Sequence, residues 1–150
     1  MAKIKFVHTN IVSKNWGKLA KFYVDALDCK AIEPERDMKG KWLDDLTNIK
    51  KAHVQGIHLR LPGYKNGPTL EIFSYNKSLK RSHSYQINEI GLAHIAFRVD
   101  NLKKYVTRIL ENGGQFYGEI SETEIKTVGH LSVVYMRDPD GNIVELQHWS

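Results

Sequence analysis

Two hydrophobic periods alternate along this chain, and their order occurs twice. FVHTNIV has the period of two expected of a strand: Val7, Thr9 and Ile11 on one face, Phe6, His8 and Asn10 on the other. The period then lengthens to that of a helix, with Trp16, Leu19, Ala20, Tyr23, Ala26 and Leu27 as the apolar stripe and Ser13 as the expected N-cap. Two further strands are expected at Lys30–Glu33 and Val54–Leu61, and TLEIFSY closes the half after the Asn66-Gly67-Pro68 turn. The second half repeats the order. GLAHIAFRV alternates, with Ala93, Ile95, Phe97 and Val99 opposite Leu92, His94, Ala96 and Arg98. Leu102, Tyr105, Val106, Ile109 and Leu110 then form a helical stripe capped by Asp100 and ended by Asn112-Gly113-Gly114. Strands at Gly114–Ile120 and Leu131–Met136 precede NIVELQHW, which follows the Asp140-Gly141 turn.

The reading is βαβββ twice, an α+β protein whose 150 residues form one domain from module 1 (about 1–76) and module 2 (about 89–150). The first module carries an additional polar stretch, PERDMKGKWLDDLTNIKK, between its second and third strands. Trp42, Leu43 and Leu46 give it enough apolar character to fold down, either as a flap over a site or as a packed surface loop.

Each closing strand places one carboxylate among apolar residues, Glu71 in TLEIFSY and Glu145 in NIVELQHW. Such a group is costly to bury unless it is paired or coordinated. Alternation puts Glu71 with Thr69 and Phe73, opposite Leu70 and Ile72, and Glu145 with Ile143 and Gln147, opposite Val144 and Leu146. The uniformly apolar faces suit helix packing, which leaves His8, Glu71, His94 and Glu145 on the other faces. If both sheets curve into a shared concave surface, two imidazoles and two carboxylates form an ordinary ligand set for a divalent metal. His58 and Arg60 alternate with Ile57, Leu59 and Leu61, making them candidates for the same cavity; His53, His83, His130 and His148 carry no comparable argument.

Composition narrows the classes. A net charge of +5 comes from scattered lysines, and no zinc-finger spacing or basic run interleaved with aromatics occurs, so nucleic acid is not the expected partner. No apolar run is long enough to span a membrane, and MAKIKFVHTN lacks the apolar core of a signal peptide. Cys29 is the only cysteine, which excludes an intrachain disulfide or a thiolate metal cluster. A cytoplasmic protein with a small-molecule substrate is expected.

FVHTNIV with its helix, TLEIFSY, GLAHIAFRVDNL and VVYMRDPDGNIVELQHW together resemble the vicinal-oxygen-chelate superfamily, the glyoxalase, bleomycin-resistance and extradiol-dioxygenase group, over nearly the whole chain. The resemblance implies paired ferredoxin-like modules forming an eight-stranded cup, within one chain or by exchange in a dimer, with a homodimer expected. It also implies one divalent ion (Zn, Ni, Co, Mn or Fe) on the first and last strands of each module, the places held by His8, Glu71, His94 and Glu145. Glyoxalase I-like enzymes fit this set best. They are lyases or isomerases that move a proton alpha to a metal-bound carbonyl through an enediolate. Glu145 would be ligand and base, and Glu71 ligand and possible second base. Methylmalonyl-CoA epimerase-like enzymes commonly have Gln where Glu71 stands, and extradiol Fe(II) dioxygenases would use His8, His94 and Glu145. Non-catalytic resistance-type binders work without a metal. The fosfomycin-modifying pattern is not evident in TVGHLSVVYM. A thiol conjugate or acyl-CoA is the implied substrate, with His58, Arg36, Arg60, Arg98 and Trp42 as candidate contacts.

Overall fold

A computed structural model describes residues 3–150 and divides the chain into two compact units, one ending at Lys80 and one beginning at Arg81. Each unit follows the βαβββ order with one addition, a second helix in the first and an extra strand segment in the second, and the protein is α+β.

The first module comprises β1 (His8–Val12), α1 (Trp16–Leu27), β2 (Lys30–Lys39), α2 (Lys41–Thr47), β3 (His53–Arg60) and β4 (Thr69–Tyr75). Its sheet runs β1-β4-β3-β2, with β1 parallel to β4 and the other pairs antiparallel. Leu19, Phe22, Tyr23, Ala26 and Leu27 of α1 are buried along with Ile57, Leu59, Leu70 and Ile72, the apolar faces of β3 and β4. The opposite face carries His58 and Glu71 beside Val54 and Phe73. Asn15, not the expected Ser13, caps α1, because its side chain is the one that reaches the Lys18 amide. Ser13 instead ties the end of β1 to β4: its amide donates to the Phe73 carbonyl and its own carbonyl accepts from Ser74 Oγ.

The extra stretch of this module is no loop. Its first part extends β2, whose register against β3 shifts between Ile32 and Arg36 around Pro34, a residue tolerated because β2 is the outer strand. Its second part is α2, whose Leu43 is buried on Ala52, Val54 and Phe73. Asp44 accepts hydrogen bonds from the amides of Lys51 (2.7 Å) and Ala52 (2.9 Å), which anchor the helix to the start of β3. α2 is thus a fixed wall. These two amides hold the Asp44 carboxyl below its ordinary value of 3.8. A lowered folded-state pKa stabilises the fold at pH above the unfolded value, and this contribution is lost as pH falls through the folded value. Asp44→Asn is expected to lower the urea midpoint near neutral pH, with the difference vanishing well below the ordinary value; midpoints measured across that range check it.

The second module contains β5 (His94–Arg98), α3 (Leu102–Glu111), β6 (Gln115–Phe116), β7 (Ser121–Ile125), β8 (Gly129–Arg137) and β9 (Ile143–Trp149). Its sheet follows the same plan, β5-β9-β8-β6, with β7 also on β8. β6 and β7 hold the place of one expected strand, so the described residues form nine strand segments where eight strands were expected. The break follows from the amides of Tyr117 and Gly118, which both turn to the Tyr135 carbonyl. Asn101 caps α3 through the Lys104 amide, where Asp100 was expected. Past the helix, Gly113 has a φ of +91°, a conformation that favours glycine. Val106 and Ile109 of α3 are buried, as are Val134, Met136, Val144 and Leu146 of the sheet.

Cys29 is buried, and burial pushes its thiol up to about 12, with Asp28 adding in the same direction. Among the described residues, no helix is long and apolar enough to cross a membrane.

Candidate metal and substrate site

The strand registers of both modules place a histidine and a glutamate at the same offset. In the first, Asn10 pairs with Glu71, which puts His8 diagonally across from the carboxylate. In the second, Ala96 pairs with Glu145 and His94 takes the diagonal place. The third-strand partner of the glutamate is His58 in the first module and Tyr135 in the second.

In the first module Glu71 is only 8% exposed. Its Oε1 accepts from Asn10 Nδ2 at 2.8 Å and lies 3.6 Å from His8 Nε2; its Oε2 lies 2.8 Å from His58 Nε2. The His8 and His58 rings meet edge to face, their centroids 5.6 Å apart. Burial lowers the affinity of the His58 imidazole for a proton, with Arg36 and His8 acting in the same direction and Glu71 opposing them. A neutral imidazole is the form that ligates a metal. Its Nδ1 is 3.0 Å from Thr69 Oγ1, a hydroxyl that can donate to it or accept from it. Thr69 therefore suits both the tautomer that donates to Glu71 and the one that leaves Nε2 free for a metal. His8, His58 and Glu71 each offer a ligand atom within 4.8 Å of the others, and two imidazoles with one carboxylate are a donor set that fits a divalent ion.

In the second module His94 Nε2 is 2.9 Å from Glu145 Oε2, and Gln147 Nε2 donates to Glu145 Oε1 at 2.9 Å. The Tyr135 ring tilts against His94 with centroids 5.1 Å apart. Burial, aided by the Glu145 charge, raises the Tyr135 phenol above its ordinary value and keeps it protonated. Glu145 thus has the partners that an apolar strand withholds from it.

Trp42 stands on α2 and lines a cavity in the first module with His8, His58 and Glu71. Arg36 lines this cavity as well, whereas Arg60, exposed at the end of β3, does not. Arg98 ends β5, exposed on the His94 face. The other histidines have local partners: His53 pairs with Asp37, His83 with Glu89 and His130 with Glu124, and His148 meets the Val99 carbonyl. Asn10 and Gln147 had already fallen on the ligand faces by alternation. That they bond directly to the carboxylates is visible only once the strands are paired, and this also holds for His58.

Comparison with known proteins follows the same lines. The family described as Glyoxalase/Bleomycin resistance protein/Dioxygenase superfamily matches residues 5–146. No curated protein gives a significant match. Among solved structures, a glyoxalase family protein from Bacillus cereus superposes with a TM-score of 0.83 at 17% identity, covering 99% of this chain and 98% of that one. A genomically encoded fosfomycin resistance protein from Listeria monocytogenes gives a TM-score of 0.57 at 14% identity, covering 100% and 93%. A glyoxalase I mutant from Zea mays gives 0.60 at 17% identity, covering 95% of this chain and 44% of that one. With its family match spanning both modules and the same His–Glu register built twice, the chain belongs to the Glyoxalase/Bleomycin resistance protein/Dioxygenase superfamily.

Proposed function

We propose that the protein is a metal-dependent, glyoxalase-like lyase or isomerase that moves a proton alpha to a carbonyl. In this reading the whole chain is one functional domain, working as a homodimer, and His8, Glu71, His94 and Glu145 are the metal ligands. The observation that carries the reading is the repeated register, which sets a histidine beside a glutamate on the polar face of each sheet (3.6 Å in the first module, 2.9 Å in the second).

When bound, a divalent ion would supply Lewis acidity at a substrate carbonyl oxygen. The protein residues divide the remaining work. Asn10 and His58 hold the two oxygens of Glu71, so this carboxylate stays oriented even when His8 turns to a metal. Glu145 has one such holder, Gln147 on Oε1, while its Oε2 is engaged by His94. With His94 turned to the ion, Oε2 would lose that partner, and Glu145 would take the alpha proton there and return it to the same or the neighbouring carbon. Glu145 is accordingly the base, and Glu71 the anchored ligand and possible second base.

Purified protein is expected to hold about one equivalent of divalent metal, and chelator to abolish turnover. His8→Ala and Glu71→Ala are each expected to weaken retention by at least about tenfold, the scale of losing a bonded partner. Metal analysis after dialysis, beside assays in D2O on methylglyoxal hemithioacetal, an acyl-CoA thioester and an arylpyruvate, tests this. A metal-free protein indifferent to chelator would leave only a binding function.

A second reading has its own observation. His8, His58 and Glu71 form a two-histidine, one-carboxylate set inside one module, a pattern suited to non-haem Fe(II) oxygen chemistry. Oxygen uptake with a catechol by the Fe(II)-loaded protein, lost in His58→Ala, would favour it.

A further inference from the structure

Resting on the reading that Glu71 marks the reacting end, we propose that the first module's cavity takes a small monoanion with an aromatic or branched apolar body, and not a peptide-thiol or coenzyme thioester conjugate. The cavity measures about 320 Å³, at the bottom of the range of roughly 300–1,000 Å³ for small-molecule pockets. Its lining includes the polar group His8, Asn10, His58 and Glu71 and, from α2, Trp42 and Leu46. That helix has divided its faces. Leu43 is spent on the core, Lys41 and Asp45 pair with each other, and Trp42 and Leu46 remain 55% and 74% exposed, four residues apart, over the cavity. Large apolar side chains exposed around a concavity mark a ligand surface, and Phe73 and Tyr75 line the same cavity.

Arg36 is the one Lys or Arg lining the cavity among the described residues. It donates to the Pro34 carbonyl with one nitrogen, and a guanidinium has five N–H donors in a planar fork. The rest can clasp one carboxylate. Glutathione conjugates bring two carboxylates and an ammonium group, and coenzyme A brings several phosphates; a wall with a single cation leaves most of those charges unpaired. A single carboxylate on an apolar body uses everything the wall offers. Its acid group meets Arg36, which lines the cavity together with His58.

Titration of the whole protein in chelator with naphthoate, naphthylmethylamine, naphthalenemethanol and S-hexylglutathione tests this. Naphthoate is expected to bind at least about tenfold more tightly than the amine or the glutathione derivative, the scale of one charge-assisted hydrogen bond. Arg36→Gln is expected to lose about 10- to 100-fold in naphthoate affinity without changing that for naphthalenemethanol, and Arg36→Lys to fall between. Trp42→Ala is expected to weaken both and to remove the naphthoate-induced change in indole emission; circular dichroism verifies that each variant is folded. Equal binding of acid and amine, preference for S-hexylglutathione, or no binding of naphthoate overturns the substrate class. Because the titration needs neither metal nor turnover, and is repeated in Glu145→Gln, its outcome is independent of whether the enzyme reading holds.

Discussion

Glu145→Gln is expected to lower kcat by about 10²–10⁴-fold, the usual contribution of a positioned general base, while leaving the fold intact. Glutamine has nearly the same shape, and its carbonyl oxygen can still accept the hydrogen bond that Gln147 Nε2 now gives to Glu145 Oε1. What it lacks is a basic oxygen at the place where Oε2 faces His94. The readout is loss of deuterium incorporation alpha to the carbonyl in D2O, on whichever of the assayed carbonyl compounds the protein turns over, beside metal content. Full exchange with full metal in the variant would remove Glu145 from the role of base. Glu71→Gln separates the two carboxylates. Asn10 and His58 both point polar groups at Glu71, so its loss is expected to appear first in metal retention.

The largest effect on stability is expected from a single methyl group. Gly56→Ala should destabilise the protein by about 3 kcal/mol, the upper end of the usual overpacking cost. A Cβ at Gly56 would lie 2.1 Å from the Ile72 carbonyl oxygen and 2.4 Å from Phe73 Cδ1. The first contact is with the backbone of the neighbouring strand, which no rotamer change relieves, so β3 and β4 must move apart. Gly56 pairs with Phe73, two positions from the His58–Glu71 pair, so the same change is expected to weaken metal retention. Gly17→Ala is the contrast. It lies in α1, its added Cβ meets nothing closer than Asn15 Oδ1 at 3.7 Å, and it should stabilise by about 0.5–1 kcal/mol through lost backbone freedom in the unfolded chain. Urea midpoints of both variants check the pair, and equal effects would refute the steric account.

The candidate site was partly legible in the chain. Glu71 and Glu145 stood out because the alternation of apolar residues around each leaves a carboxylate where burial is expected, and the opening histidines shared their side by parity. His58 is one of three polar residues on the expected strand Val54–Leu61, with Gln55 and Arg60, and only the register across residues 61–68 brings it rather than Arg60 opposite Glu71. The helix caps show the same limit at short range. Ser13 and Asp100 have suitable side chains, but the cap is whichever side chain reaches the amide three residues on, and here that is Asn15 and Asn101. The stretch holding Trp42 had the composition of a loop, yet Asp44 and Leu43 together fasten it as a wall.

Local periodicity therefore determined the two βαβββ modules, the faces covered by helices and the pair of misfit carboxylates, because each depends only on residues within one strand or helix turn. Tertiary structure decided who partners those carboxylates: Asn10 and His58 on Glu71, His94 and Gln147 on Glu145. Partnership depends on strand register, and register is set by turns and by packing across the sheet, distances that no single segment encodes.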